Sequence, residues 1–185
     1  MKRLIIIILI SLTGACSGGD TLPKPKAQLS LEYPQPEYEP AQFKYFSFDK
    51  SDQAQIEKIN DKKINLVYPN MKAKIYLTYN EIDNNLEALL RDAEKFTYEH
   101  TVKADEIITR DFINEDKKVF ATINMVTGDA ASQIQFHATD STNHFLDGSL
   151  YFYAQPNYDS IMPAVQYLKQ DIEHLLESLK WNGQK

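Results

Sequence analysis

Apolar and polar residues follow two periods along this chain, and the switches between them outline its elements. Phe43, Tyr45 and Phe46-Ser47-Phe48 read as a first strand, and Ile64–Tyr68 and Ala73–Tyr79 as two more, split by Pro69-Asn70. Alternation of this kind marks strands with one buried face. At Asn80 the period changes. Asn80 suits a helix N-cap, Glu81 and Asp83 suit a first turn, and Ile82, Leu86, Leu89, Leu90, Ala93 and Phe96 fall on one face. The spacing predicts an amphipathic helix from residue 81 to about residue 99. Ile107–Ile113, Val119–Val126, Ile134–Ala138 and Leu150–Tyr153 then read as four further strands, with Gly128-Asp129 and Asp147-Gly148 as turn residues. The final element is the clearest. Ile161, Val165, Leu168, Ile172, Leu175, Leu176 and Leu179 form one apolar face, and Gln166, Lys169, Gln170, Asp171, Glu173 and Glu177 the opposite one. Asp159 or Ser160 can cap this helix, with Pro163 in its first turn.

The predicted order is β-β-β-α-β-β-β-β-α. Four consecutive strands with short links are most simply an antiparallel meander, and two amphipathic helices can cover a sheet. The expected fold class is therefore α+β, an antiparallel sheet of six or seven strands covered by two helices. In architecture this is similar to the PsbP/Mog1 sandwich, an analogy that carries no function.

The N-terminus follows another logic. Met1-Lys2-Arg3 is basic, Leu4–Leu12 is almost wholly apolar, and Thr13-Gly14-Ala15 leads into Cys16, the single cysteine. A basic start, a short apolar run and small residues before a cut describe a secretory signal, and one ending on cysteine describes a bacterial lipoprotein signal. The apolar run is shorter than the ~20 residues that span a bilayer. Residues 1–15 are thus expected to be a signal peptide, with Cys16 carrying lipid. Five of the eight prolines (Pro23, Pro25, Pro34, Pro36, Pro40) follow, so residues 16–41 read as an anchor and Pro-rich tether, extended where proline fixes φ. Leu31, Tyr33 and Tyr38 interrupt that segment with side chains suited to packing on the domain or on a partner. Residues 42–185 form the single expected domain.

Charge narrows the partners. The chain carries a formal −6, and loss of Lys2 and Arg3 with the signal makes it −8. An acidic surface argues against nucleic acid and against adsorption on anionic lipid, leaving acyl chains on Cys16 to hold a membrane. One cysteine allows no internal disulfide. No P-loop, G-x-G-x-x-G, G-x-S-x-G or H-E-x-x-H occurs, so no catalytic residues, metal or cofactor are expected. Of the histidines, His100 ends the first helix, His137 lies mid-strand and His174 sits on the polar helix face; none forms a close ligand pair. The densest polar stretch is Thr139-Asp140-Ser141-Thr142-Asn143-His144. Ser141 with His144 could be read as nucleophile and base, but triads join distant segments, and Asp140, Ser141 and Thr142 are expected to turn the chain through their own backbone. His100–Asp105 is a second polar junction, read as helix capping.

Several stretches together resemble the gliding motility lipoproteins called GldD: Leu29-Ser30-Leu31-Glu32-Tyr33-Pro34, Ala73–Tyr79, His100–Asp105, Asp140–Leu146, Gly148–Phe152, Pro156-Asn157 with Asp159-Ser160, and Ser178-Leu179-Lys180-Trp181. The resemblance implies an envelope lipoprotein needed for gliding, a movement linked to type IX secretion, and brings no catalytic residues. Only Cys16 carries over, with Thr13 a relaxed match to the signal pattern. The leading expectation is an interaction module binding other envelope proteins of the gliding machinery. The alternative is a small binding domain for a lipid, glycan or peptidoglycan fragment, with a pocket between helix and sheet. The third is an envelope hydrolase using Ser141 or His144. Ser17-Gly18-Gly19-Asp20 lacks an acidic cluster, so the domain is expected to face the periplasm, on the outer membrane in preference to the inner.

Overall fold

Ala73, Ile75, Leu77 and Tyr79 are buried and alternate with partly exposed Lys74, Thr78 and Asn80 and exposed Tyr76, so one strand has an apolar face and a polar one. This pattern sets the architecture. In a computed structural model that describes residues 33–99, 104–128, 130–153 and 158–183, the strands are β1 (Tyr38–Gln42), β2 (Phe46–Ser51), β3 (Gln55–Lys58), β4 (Lys63–Tyr68), β5 (Ala73–Glu81), β6 (Ala104–Asn114), β7 (Val119–Gly128), β8 (Ile134–Thr139), β9 (His144–Phe152) and β10 (Lys180–Trp181). Helix α1 (Leu86–Glu99) follows β5 and α2 (Tyr158–Ser178) follows β9. The class is α+β, as the order of elements implies.

Seven strands form one sheet in the order β3-β4-β5-β9-β8-β7-β6, antiparallel at every step. The expected β6–β9 meander is its longer half. β5 and β9 join the halves through nine paired residues, Ala73↔Phe152 to Glu81↔His144. A smaller sheet, β1-β2-β10, stands apart. It packs with α2 over the apolar face of the large sheet, where Phe46, Phe48, Ile64, Leu66, Ile75, Leu77, Leu146, Leu150, Leu168 and Ile172 are buried in one cluster.

Several expectations change. Asn80 and Glu81 are not a helix start: they continue β5, paired with Phe145 and His144, and the helix begins five residues later at Leu86. Asp147-Gly148 is not a turn but the middle of β9. A Cβ at Gly148 would lie 2.1 Å from the Phe136 ring, so the glycine is a slot for a cross-strand phenyl group. β9 begins at His144, not Leu150, and ends before Tyr153. β1, β3 and β10 were not foreseen. Asp159 and Ser160 lie inside α2, which places Pro163 in its second turn. Asp171, expected on the polar face, is 4% exposed.

The expected tether overlaps the folded unit. Tyr38–Gln42 pair with β2, Tyr33 packs on Tyr167 of α2 with ring centroids 5.1 Å apart, and Tyr38 Oη donates to Asp171 Oδ1 at 2.9 Å. Tyr38 also stacks on His174 at 3.6 Å, so that imidazole is covered, not simply solvated. Burial pushes the Asp171 carboxyl above its usual range, against the pull of Tyr38, Tyr68, Ser51 and the His174 charge. Residues 1–32, Cys16 among them, and His100 lie outside the described residues.

Candidate functional site

On the other face of the large sheet the same alternation leaves a row of polar side chains. Strand side chains two apart share a face. Hence Tyr76, Thr78 and Asn80 of β5 stand beside Asp147 and Ser149 of β9, then Gln135 and His137 of β8, then Asn124 of β7. Helix α1 crosses this row with Leu89, Asp92 and Ala93, and between helix and sheet lies a cleft of about 380 Å³ lined by all of these residues.

Its electrostatics differ from those of open surface. Asp147 is pushed from 3.8 up to about 7, first by burial, with the Asp92 charge adding to the rise. Asn80 Nδ2 donates to Asp147 Oδ2 at 3.3 Å and pulls the other way. His137, directly opposite Asp147 in the β8–β9 pair, is held below its usual range by burial, opposed by the charges of Glu94 and Asp111. Its ring stacks on Phe145 with centroids 5.5 Å apart. Gln135 is 3% exposed, and neither Oε1 nor Nε2 has a hydrogen-bond partner among the described residues. At the mouth, Tyr76 meets Tyr151 edge to face at 5.5 Å, and Lys74 Nζ lies 5.6 Å from the Tyr76 ring and 5.7 Å from that of Tyr153. Lys74 is itself paired with Glu57 at 2.7 Å.

The Asp140–His144 loop lies at the end of the same strands but does other work. Asp140 Oδ1 accepts from the backbone N–H of Thr142, Asn143 and His144 at 2.8–3.0 Å, and Oδ2 from Thr142 Oγ1 at 3.0 Å. Ser141 N–H donates to Thr139 Oγ1, and Ser141 holds φ at 66°. This is a turn built around a carboxylate. The loop does not pair Ser141 with His144. The imidazole points into the opposite face, 5% exposed, with Nδ1 hydrogen-bonded to Tyr79 Oη at 2.7 Å and its ring stacked on Trp181 at 5.2 Å. Its Nε2 has no partner among the described residues, so no bond to the Ser141 hydroxyl activates a nucleophile. No group of three His, Cys, Asp or Glu is placed to hold a metal ion among the described residues.

Sequence reasoning missed Asp147, Gln135, Thr78, Asn80, Ser149 and Tyr76. The signal was the polar half of the alternation. Three adjacent strands each place polar residues on a face that a helix was expected to cover, and a helix over polar groups leaves a cleft, not a core.

The fold and the cleft define a small α+β domain with a helix-walled cleft that has a row of polar side chains on its floor. The chain belongs to the gliding motility lipoprotein GldD family, whose sequence pattern matches residues 18–181. Comparison with curated proteins yields no match. The family is a lipoprotein family and not a known enzyme family, which implies a membrane-anchored protein of the envelope. No helix among the described residues is long and apolar enough to cross a membrane.

Proposed function

We propose that this protein is a lipid-anchored interaction module of the gliding and type IX secretion apparatus. Acyl chains on Cys16 hold it to a membrane, with the domain in the periplasm and on the outer membrane in preference to the inner. Its partners are other envelope proteins of that machinery. The observation that supports this reading is the family match across residues 18–181. That match starts after Cys16, so lipidation rests on the signal-like residues before it. The test joins two measurements on intact cells: labelling with a clickable fatty acid, and mild crosslinking followed by affinity capture of the tagged chain. Cys16→Ala is expected to lose both the label and the membrane fraction, and the parent chain to capture gliding or secretion components. Label persisting on the alanine variant overturns the anchor. Capture of no such component overturns the partner.

One observation favours a second reading, a binding domain for a small molecule. The cleft under α1 is concave, helix-walled and floored by polar groups, one of them an unsatisfied amide.

A further inference from the structure

We propose that the cleft between α1 and the seven-stranded sheet binds a neutral, hydroxyl-rich ligand, a short saccharide, through the amide and hydroxyl row of Thr78, Asn80, Gln135 and Ser149 with Tyr76 at its mouth. The proposal rests on the small-molecule reading above and names the ligand's chemistry.

The amide carries the argument furthest. A buried donor or acceptor left unmade costs about 1–3 kcal/mol, and Gln135 leaves both of its polar ends unmade while lining the cleft. A carboxamide presents a donor and an acceptor side by side, which is the complement of two neighbouring hydroxyls. Asn80 adds a second carboxamide, its Nδ2 partly engaged by Asp147 at 3.3 Å, and the Thr78 and Ser149 hydroxyls both donate and accept. All four stand on paired strands of one sheet, which fixes their directions before any ligand arrives.

Charge narrows the class. No lysine or arginine lines the cleft among the described residues, and its charged groups are the carboxyls of Asp92 and Asp147. A phosphate, a fatty-acid headgroup or another anion would meet like charge inside, and Lys74 at the mouth is already paired with Glu57 at 2.7 Å. An alkyl chain fails differently: it would strand the same row of polar groups away from water. A saccharide suits both constraints. Its hydroxyls bond the floor, while its C–H face lies against an aromatic ring, and Tyr76 offers one at the mouth, 38% exposed and braced by Tyr151. The volume lies at the lower end of the ~300–1,000 Å³ typical of ligand pockets, room for a short oligomer and not for a folded partner.

The test uses the full mature chain, isotope-labelled in detergent micelles, titrated with maltose, cellobiose and N,N′-diacetylchitobiose. Spermidine and glucose 1-phosphate serve as cationic and anionic counterparts. At least one neutral disaccharide is expected to shift the Gln135 side-chain NH₂ resonances saturably at millimolar concentration or below, more tightly than either charged probe. Gln135→Leu and Tyr76→Ala are each expected to weaken that binding by about tenfold or more, 1.4 kcal/mol. Tyr76 is partly exposed, so its variant carries the test if the leucine variant fails to fold. Unchanged affinity in a folded variant overturns the proposal. Binding of spermidine or glucose 1-phosphate without any disaccharide overturns the ligand class and keeps the small-molecule reading. Silence from all five probes overturns both.

Discussion

The large sheet is gripped unequally by the two helices that cover it. Under α2, Ile161, Val165, Leu168, Ile172, Leu175 and Leu176 are all buried, and the strands below them present Ile75, Leu77, Leu146 and Leu150. Under α1, Leu86, Leu89 and Leu90 stay partly exposed, and the strands present Thr78, Gln135, His137 and Asp147. Both helices are amphipathic, yet only one finds an apolar partner. Burial at about 25 cal/mol per Å² therefore accumulates on the α2 side, while the α1 side holds a titrating carboxyl and an unsatisfied amide that weaken the fold. The lesson is a division of labour: one face of a sheet stabilises the domain, and the other keeps a polar cavity open.

Substitutions can break that comparison. The largest effect is expected from Leu175→Asp. It places an unpaired charge in the dry layer, a change that costs more than about 4 kcal/mol, and protein abundance and thermal unfolding should both collapse.

Asp147→Asn probes the other face, with the opposite sign. The native carboxyl titrates near 7 and the unfolded one at 3.8. Below pH 3.8 both states are protonated and burial carries no ionic penalty. As pH rises through the interval, the unfolded chain releases a proton that the native state keeps, so wild-type stability falls until about pH 7. The shift corresponds to at most about 4 kcal/mol. Above pH 7 the asparagine variant should be the more stable, and urea midpoints across pH 4–8 should slope less than in wild type. Some slope remains, because Asp171 is shifted in the same direction. An unchanged slope would remove Asp147 as its source.

Gly148→Ala joins the two faces. Its methyl group meets the Phe136 ring on the packed side, and overpacking of this kind costs about 1–3 kcal/mol. Chemical denaturation should show that loss.

The smallest effect belongs to the Asp140–His144 turn. Ser141→Ala at an exposed position should stay within about 0.5 kcal/mol and leave gliding intact. His144→Gln should cost more than Ser141→Ala, since the imidazole is buried between Tyr79 and Trp181. Loss of gliding by Ser141→Ala at normal abundance would revive a chemical role for that hydroxyl.

Legibility in the sequence follows the same division. Helix α2 and strands β4, β5, β7 and β8 could be read because burial writes a period into the residues. β3 could not: all four residues of Gln55–Lys58 are exposed, so no face is selected. β10 has two residues and depends on its register with β2. Pro40 made β1 look like tether, though proline is tolerated on an edge strand such as this one. Asn80 and Asp147-Gly148 carried convincing local signals for a cap and a turn, and pairing between distant strands overrode both. The cleft was the least legible feature. Its residues come from four strands and a helix, and no pair of them makes a motif.

The Tyr38–Asp171 contact also has a mechanical side. With Tyr33 and Tyr38 fastened to α2, a load applied to the chain N-terminal to residue 33 would enter the folded body at this point. Tension there would pass through aromatic rings seated on a helix and a hydroxyl bonded to a buried carboxyl group. It loads α2 and the β1–β2 ladder together, since Tyr38 is also the first residue of β1 and pairs with Ser51. Such a load thus falls on the packed side of the large sheet, while the cleft under α1 lies on its other face.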